Sequence, residues 1–164
     1  MVRLLLVRHA TADWPDGVDD LERPVTAQGA ADARDLGAYL AAHGLTPDAA
    51  LVSVARRTRQ TWEQLASELP TAPVAQFEDD AYAASARRLL QVVRERGGDA
   101  ETVLVVGHNP GIHDLVAVLS ADRERVPLSY PTTTLAVLDL PADAWPGVEV
   151  GTASVERVVV KRSR

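Results

Sequence analysis

Leu4-Leu5-Leu6-Val7-Arg8-His9-Ala10 places four apolar residues directly before a cation and an imidazole. The apolar run is short and lacks helical spacing, so it predicts a strand buried on both faces, as in the middle of a parallel sheet. In open α/β sheets ligands sit just beyond the carboxyl ends of the strands. Arg8 and His9 fall at that point, which marks His9 as a candidate nucleophile.

The rest of the chain repeats the pattern. A polar loop, Thr11 to Arg23, follows His9 and contains the breakers Pro15 and Gly17, so it is positioned to border a site. Thr26 is a candidate N-cap for a helix that carries Ala30, Ala33, Leu36, Gly37 and Leu40 and ends at His43-Gly44. A second short strand, Ala50 to Val52, ends at Ser53, and a helix is predicted from about Arg56 to Leu69. Val74 to Phe77 is a candidate third strand, followed by the acidic loop Glu78-Asp79-Asp80. Ser85 caps the next helix, which Gly97-Gly98 closes. Thr102 to Val106 is the clearest strand and leads into Gly107-His108; Asn109 and Pro110 suit the N-cap and N1 positions of a helix to about Ser120. Thr134 to Leu140 and Ser154 to Val160 complete the strands. This alternation predicts one domain over residues 1–164, a three-layer α/β/α sandwich with a mostly parallel central sheet.

Composition narrows the function. The chain has 164 residues, enough for one substantial core, and at 46% hydrophobic it is not a disordered polymer. With aromatics at only 4%, the core must be built from Ala, Val and Leu. Seventeen Lys and Arg against 23 Asp and Glu give a net charge of −6, which argues against nucleic-acid or anionic-membrane partners. There is no Cys, which excludes disulfides and thiolate chemistry. No apolar run is long enough to span a bilayer, and a cytoplasmic protein is the expectation.

Three buried strands thus end in polar residues: Arg8-His9, Ser53 and Gly107-His108. In a parallel sheet those ends share one edge, so His9 and His108 are predicted to meet there. Arg56, Arg57 and Arg59 crowd the first turn of the helix after Ser53. Cations are disfavoured at a helix N-terminus by a few tenths to ~1 kcal/mol each. A bound anion removes the conflict, and a guanidinium fork suits phosphate. Arg56 and Arg59 are expected to be solvated. His43 reads as an exposed residue at a helix end, and His113 as a packing residue.

These residues resemble a known family. Val7-Arg8-His9-Ala10 resembles the Arg-His-Gly signature of the histidine phosphatase (phosphoglycerate mutase-like) superfamily. Ser53-Val54-Ala55-Arg56-Arg57-Thr58-Arg59-Gln60-Thr61 resembles its Ser-Pro-x-x-Arg-Ala-x-Gln-Thr segment, and Val106-Gly107-His108-Asn109-Pro110 its second-histidine segment. Order and spacing match from Met1 to about Leu140; Ala10 stands where the family has Gly and Val54 where it has Pro. Arg23-Pro24-Val25-Thr26-Ala27-Gln28-Gly29 and Tyr130-Pro131-Thr132 are similar to stretches of the SixA-type phosphohistidine phosphatases.

The resemblance implies that His9 carries a phosphoryl group while Arg8, Arg57 and His108 bind it. Arg23 also reaches the site, and Ser53 is assigned with it to substrate binding. An imidazole with an ordinary pKa of ~6.5, lowered by neighbouring cations, is a neutral nucleophile. No metal and no cofactor is expected. An alkoxide leaving group needs an acid, for which Asp80 or Glu78 is the candidate; a phosphoramidate does not. The short connection between Leu69 and Ser85 cannot hold a large lid, so an open site favours a phosphohistidine-bearing protein as partner and substrate. The chain is expected to be monomeric. Alternatives are a phosphatase for a small phosphate ester, a mutase, and a phosphate-binding module without chemistry.

Overall fold

The computed structural model describes residues 1–163. Six strands form one sheet: β1 (Val2–Arg8), β2 (Ala49–Ser53), β3 (Gln76–Glu78), β4 (Thr102–Gly107), β5 (Thr134–Leu140) and β6 (Ser154–Val160). Their order is β3-β2-β4-β1-β5-β6. β1, β2, β3 and β4 are mutually parallel, whereas β5 runs antiparallel to both β1 and β6. Four helices flank the sheet: α1 (Ala27–Ala42), α2 (Arg56–Ala66), α3 (Ala86–Arg96) and α4 (Gly111–Leu119). The expected mostly parallel sandwich is what forms.

The leading strand sits where its sequence demands. β1 lies between β4 and β5, and Leu4, Leu5, Leu6 and Val7 are all fully buried. Strand alternation sends them to opposite faces. Leu4 and Leu6 join Val103, Val105 and residues of α3 and α4; Leu5 and Val7 join Leu104, Val106 and residues of α1 and α2. Each such burial is worth about 1.5–3 kcal/mol. The two cores are largely Leu, Val and Ala, with Trp145 the largest side chain fully buried; its Nε1 donates to the Ala100 carbonyl at 2.7 Å.

Thr26 and Ser85 are the capping residues of α1 and α3, accepting from the backbone N–H of Gly29 and Arg88. The α1–α2 contact is a close backbone approach: a Cβ at Gly37 would stand 2.1 Å from the Leu65 carbonyl oxygen. Gly29 allows a similar approach, since a Cβ there would lie 2.3 Å from the carbonyl oxygen of Thr11, two residues past His9.

Three local readings are corrected. The third strand is Gln76–Glu78 rather than Val74 to Phe77, because its pairing with β2 begins only at Leu51↔Gln76; Val74 is 93% exposed. α2 ends at Ala66, short of Leu69. Asn109 does not cap α4: Pro110 holds the N-cap position without a side-chain cap, and Asn109 Nδ2 donates to the Tyr130 carbonyl at 2.8 Å.

Candidate active site

β1 and β4 are paired in register, with Arg8 opposite Gly107. The His9 amide extends that ladder, donating to the Gly107 carbonyl at 3.0 Å. His9 and His108 therefore leave neighbouring strands at the same level. Their ring centroids are 5.4 Å apart with planes inclined at 55°, and each residue is only 8% exposed.

Hydrogen bonds fix both tautomers. His9 Nδ1 lies 2.8 Å from the Ala10 carbonyl, which can only accept; Nδ1 carries the proton and Nε2 keeps its lone pair. His108 Nδ1 lies 3.2 Å from Arg57 Nη2, which can only donate, so Nδ1 accepts and Nε2–H donates to Ser53 Oγ at 2.8 Å. Both rings are neutral. Burial is the main force holding His9 down to about 4, reinforced by the charges of Arg57, Arg8 and Arg23 and opposed by the Ala10 carbonyl. His108 is held to about 3 by burial first, then by His9, Arg57 and Arg8, with Asp20 opposing. The cations lower the His9 value as expected, but burial contributes more.

Arg57 is the hub. It leaves the first turn of α2, a helix with Ala55 at its N-cap, no capping side chain and no acidic residue in that turn. Besides meeting His108, its Nη1 donates to the Asp20 carbonyl at 2.7 Å and its Nη2 to Asp20 Oδ2 at 3.1 Å. Asp20 also accepts from the Tyr82 hydroxyl and, on Oδ1, from Arg23 Nη1 at 3.3 Å. These partners, the Tyr82 hydroxyl foremost, hold the Asp20 carboxyl at about 2. Tyr82 stands edge-on to His108, with centroids 5.6 Å apart at 87°. Thr61 ties α2 to the nucleophile's loop: its hydroxyl donates to the Arg57 carbonyl at 2.7 Å and accepts the Ala10 amide at 2.9 Å.

Arg8 approaches from the opposite side. Its Nη1 donates to the Tyr130 carbonyl at 3.0 Å, the same oxygen that receives Asn109. Tyr130 is itself locked by its hydroxyl, which donates to the Leu6 carbonyl at 2.6 Å, and by stacking on His113. The Nε atoms of Arg8 and Arg57 are buried with no partner among the described residues. A buried donor left unmade costs about 1–3 kcal/mol. Arg57, bonded to His108, and Arg8, the residue before His9, bring guanidinium charge to the two imidazoles, a setting that stabilises a tetrahedral oxyanion.

The predicted residues divide clearly. His9, His108, Arg8 and Arg57 come together, and Arg23 joins them through Asp20. Ser53 is fully buried and its hydroxyl is occupied by His108, so it orients that ring rather than facing a substrate, contrary to the expected binding role. Arg56 and Arg59 are exposed, with Arg59 lying 4.4 Å over the Phe77 ring. His43 is exposed and stacks on Tyr39; His113 packs as expected, donating from Nε2 to the Pro127 carbonyl at 2.7 Å. The acid candidates face α3 instead of the histidines: Asp80 pairs with Arg88 at 3.6 Å and Glu78 with Arg96 at 3.9 Å. Among the described residues no three His, Asp or Glu side chains gather as metal ligands. Asp20, Tyr82, Thr61 and Tyr130 belong to the site without having been singled out. Asp20 had one signal, its place in the loop directly after the first strand; Tyr82 had none.

The model of the histidine phosphatase superfamily (branch 1) matches residues 4–81. The chain is 33% identical over 156 residues to the Mycobacterium tuberculosis protein Rv1276c, covering 91% of this chain and 96% of that protein. Among solved structures, the protein proposed to be the phosphohistidine phosphatase SixA of Nakamurella multipartitia superposes with a TM-score of 0.85 at 29% identity, covering 96% of this chain and 95% of that one. Its counterpart from Agrobacterium tumefaciens gives 0.81 at 27% identity, covering 97% of each chain.

Proposed function

The chain belongs to the histidine phosphatase superfamily and is a phosphatase hydrolase; on that premise we propose that it removes the phosphoryl group from phosphohistidine on a protein, through a covalent intermediate on His9 and without a metal. The observation that carries this reading is the neutral His9–His108 pair, with ring centroids 5.4 Å apart and Arg57 Nη2 3.2 Å from His108 Nδ1.

The steps follow from atoms already placed. His9 Nε2 holds its lone pair at neutral pH because Nδ1–H is engaged by Ala10. That pair attacks phosphorus, a new N–P bond forms, and the substrate's N–P bond breaks with its electrons leaving on the substrate imidazole, which takes a proton from solvent. Arg8 and Arg57 offset charge on the equatorial oxygens, the role a divalent cation fills elsewhere. His108 arrives with Nδ1 as an acceptor. An anion drawn to Arg57 competes for that N–H and favours protonation of the ring, turning Nδ1 into a donor to the anion. Water then attacks phosphorus, the His9–phosphorus bond breaks, and inorganic phosphate leaves. Ser53 orients His108 throughout.

Phosphohistidine fits better than an alkyl phosphate because Asp80 and Glu78 are paired with arginines of α3 and leave no carboxylic acid beside the leaving group. Imidazole needs no enzyme-bound acid to leave. A monomer working on the surface of a second protein is consistent with a site that no inserted domain covers.

The test is chemical trapping. The wild type, quenched during turnover of a phosphohistidine peptide, should carry one acid-labile, base-stable phosphate per chain on His9. His9→Ala should carry none and lose at least a thousandfold in rate. Turnover that survives His9→Ala would overturn the mechanism. Rapid hydrolysis of alkyl phosphates with no action on phosphohistidine would overturn the substrate.

A further inference from the structure

The connection between β3 and α3 sends its carboxylates to arginines of α3 and one aromatic side chain to the histidines. That side chain is Tyr82. It is half-buried, its hydroxyl donates to Asp20 Oδ2, and its ring meets the His108 ring edge-on with centroids 5.6 Å apart. None of the chemical steps above uses it.

The backbone that carries Tyr82 is held against its own preference. Ala83 has φ +50°, in the left-handed region that a residue with a Cβ rarely adopts. Such a conformation persists only where the surroundings fix it. Here they do so on both sides. Ala81 is buried, and the Tyr82 amide donates to the Asp79 carbonyl at 3.1 Å. Beyond Ala83, the Ala84 carbonyl packs on the start of α4, where a Cβ at Gly111 would stand 2.1 Å from its oxygen. Tyr82 is thus presented to Asp20 and His108 from a pinned turn.

The bonds around Arg57 show what the hydroxyl does there. A guanidinium has two edges, each able to grip a pair of oxygens. Asp20 takes the end of the fork: its carbonyl accepts from Nη1 at 2.7 Å and its Oδ2 from Nη2 at 3.1 Å. The side edge, Nη2 with Nε, stays clear of Asp20, and Nη2 lies 3.2 Å from His108 Nδ1. Gripping one edge therefore aims the other. The Asp20 side chain is 36% exposed, however, so water competes for it. The Tyr82 hydroxyl shares Oδ2 with Arg57 Nη2 and holds the carboxylate in place. By stabilising the carboxylate's charge, it also weakens the pull of Asp20 on Arg57.

We propose that Tyr82 is a positioning residue: its hydroxyl fixes and tempers the Asp20–Arg57 pair, which keeps the side edge of Arg57 aimed at the phosphoryl oxygens beside His108. The inference rests on the phosphatase reading of the site.

The test is a double-mutant cycle on the full chain, with free phosphoramidate as substrate and inorganic phosphate as ligand. Turnover is counted per His9 site that takes up acid-labile phosphate, so misfolded molecules do not enter. Tyr82→Phe keeps the ring and loses only the hydroxyl. It should lower kcat roughly three- to tenfold and weaken phosphate binding, read by calorimetry, roughly threefold. In an Asp20→Ala background the same substitution should change either quantity less than about twofold, because the hydroxyl acts through the carboxylate. An unchanged kcat or phosphate affinity in Tyr82→Phe, or an equal loss with and without Asp20, would each overturn the proposal; the equal loss would assign Tyr82 to packing on His108. Phosphoramidate turnover that is absent, or that persists in His9→Ala, would instead overturn the reading of the site itself.

Discussion

Lowering the pH from 7 to 5 should destabilise this protein chiefly through two residues. His9 and His108 are neutral in the fold, held to about 4 and about 3 against an ordinary 6.5. In the unfolded chain an ordinary imidazole is ~97% protonated at pH 5, while the folded pair stays almost wholly unprotonated. The unfolded state binds more protons, so stability falls as pH falls. The contribution is complete above the unfolded value and declines from there toward the folded values. Integrated between pH 7 and pH 5, each histidine costs about 2 kcal/mol, and the pair about 4 kcal/mol. For a chain of this length that is a drop of roughly 7–15 °C in Tm. Asp20, at about 2 against an ordinary 3.8, acts at lower pH and does not enter this window. Urea unfolding at both pH values measures the loss in the wild type and in the double variant His9→Asn/His108→Asn, whose amides do not titrate. The double variant should lose less than about 1 kcal/mol over the same interval. Equal pH dependence in the two proteins would show that the rings are not held neutral by the fold, and the nucleophile assignment would lose its electrostatic basis.

The same placement governs activity: kcat/KM for phosphoramidate, corrected for the uncatalysed rate, should stay level down to about pH 5 and fall with an apparent pKa near 4, not 6.5. An acid limb at 6.5 would mean that His9 is solvated. Asp20→Asn should tighten inorganic phosphate binding about fivefold, since the carboxylate on Arg57 repels an incoming anion and its solvent-screened cost is about 1 kcal/mol. It should also lower kcat, because Arg57 loses the partner that holds it toward His108; calorimetry showing unchanged or weaker phosphate binding would refute this.

The sequence made the scaffold legible where one physical rule dominated. Runs such as Leu4 to Val7 and Thr102 to Val106 have no reading but strands buried on two faces, and their ends located His9 and His108. Thr26 and Ser85 announced helices because a hydroxyl before a periodic segment satisfies an orphan N–H. The misreadings share a cause, which is that tertiary partners decide between options of similar local energy. Asn109 had the chemistry of a cap, yet its amide found the Tyr130 carbonyl. Val74 had strand propensity, yet no neighbouring strand paired with it. Ser53 had a free-looking hydroxyl, yet His108 lay across from it. Asp20 and Tyr82 were out of reach for a different reason: they come from loops separated by α1, β2, α2 and β3, and only the assembled fold places Asp20 on Arg57 and Tyr82 on Asp20.

β5 runs against its neighbours, and the geometry of that reversal has a use. It brings the start of β5 and the finish of β6 to the edge where β1 and β4 terminate, so the reaction centre has a border that none of the strand-to-helix connections contributes. Exposed residues on that border, such as Val160, can be exchanged with little effect on the buried layers. A lineage could thereby acquire new molecular clients while its chemistry stays fixed.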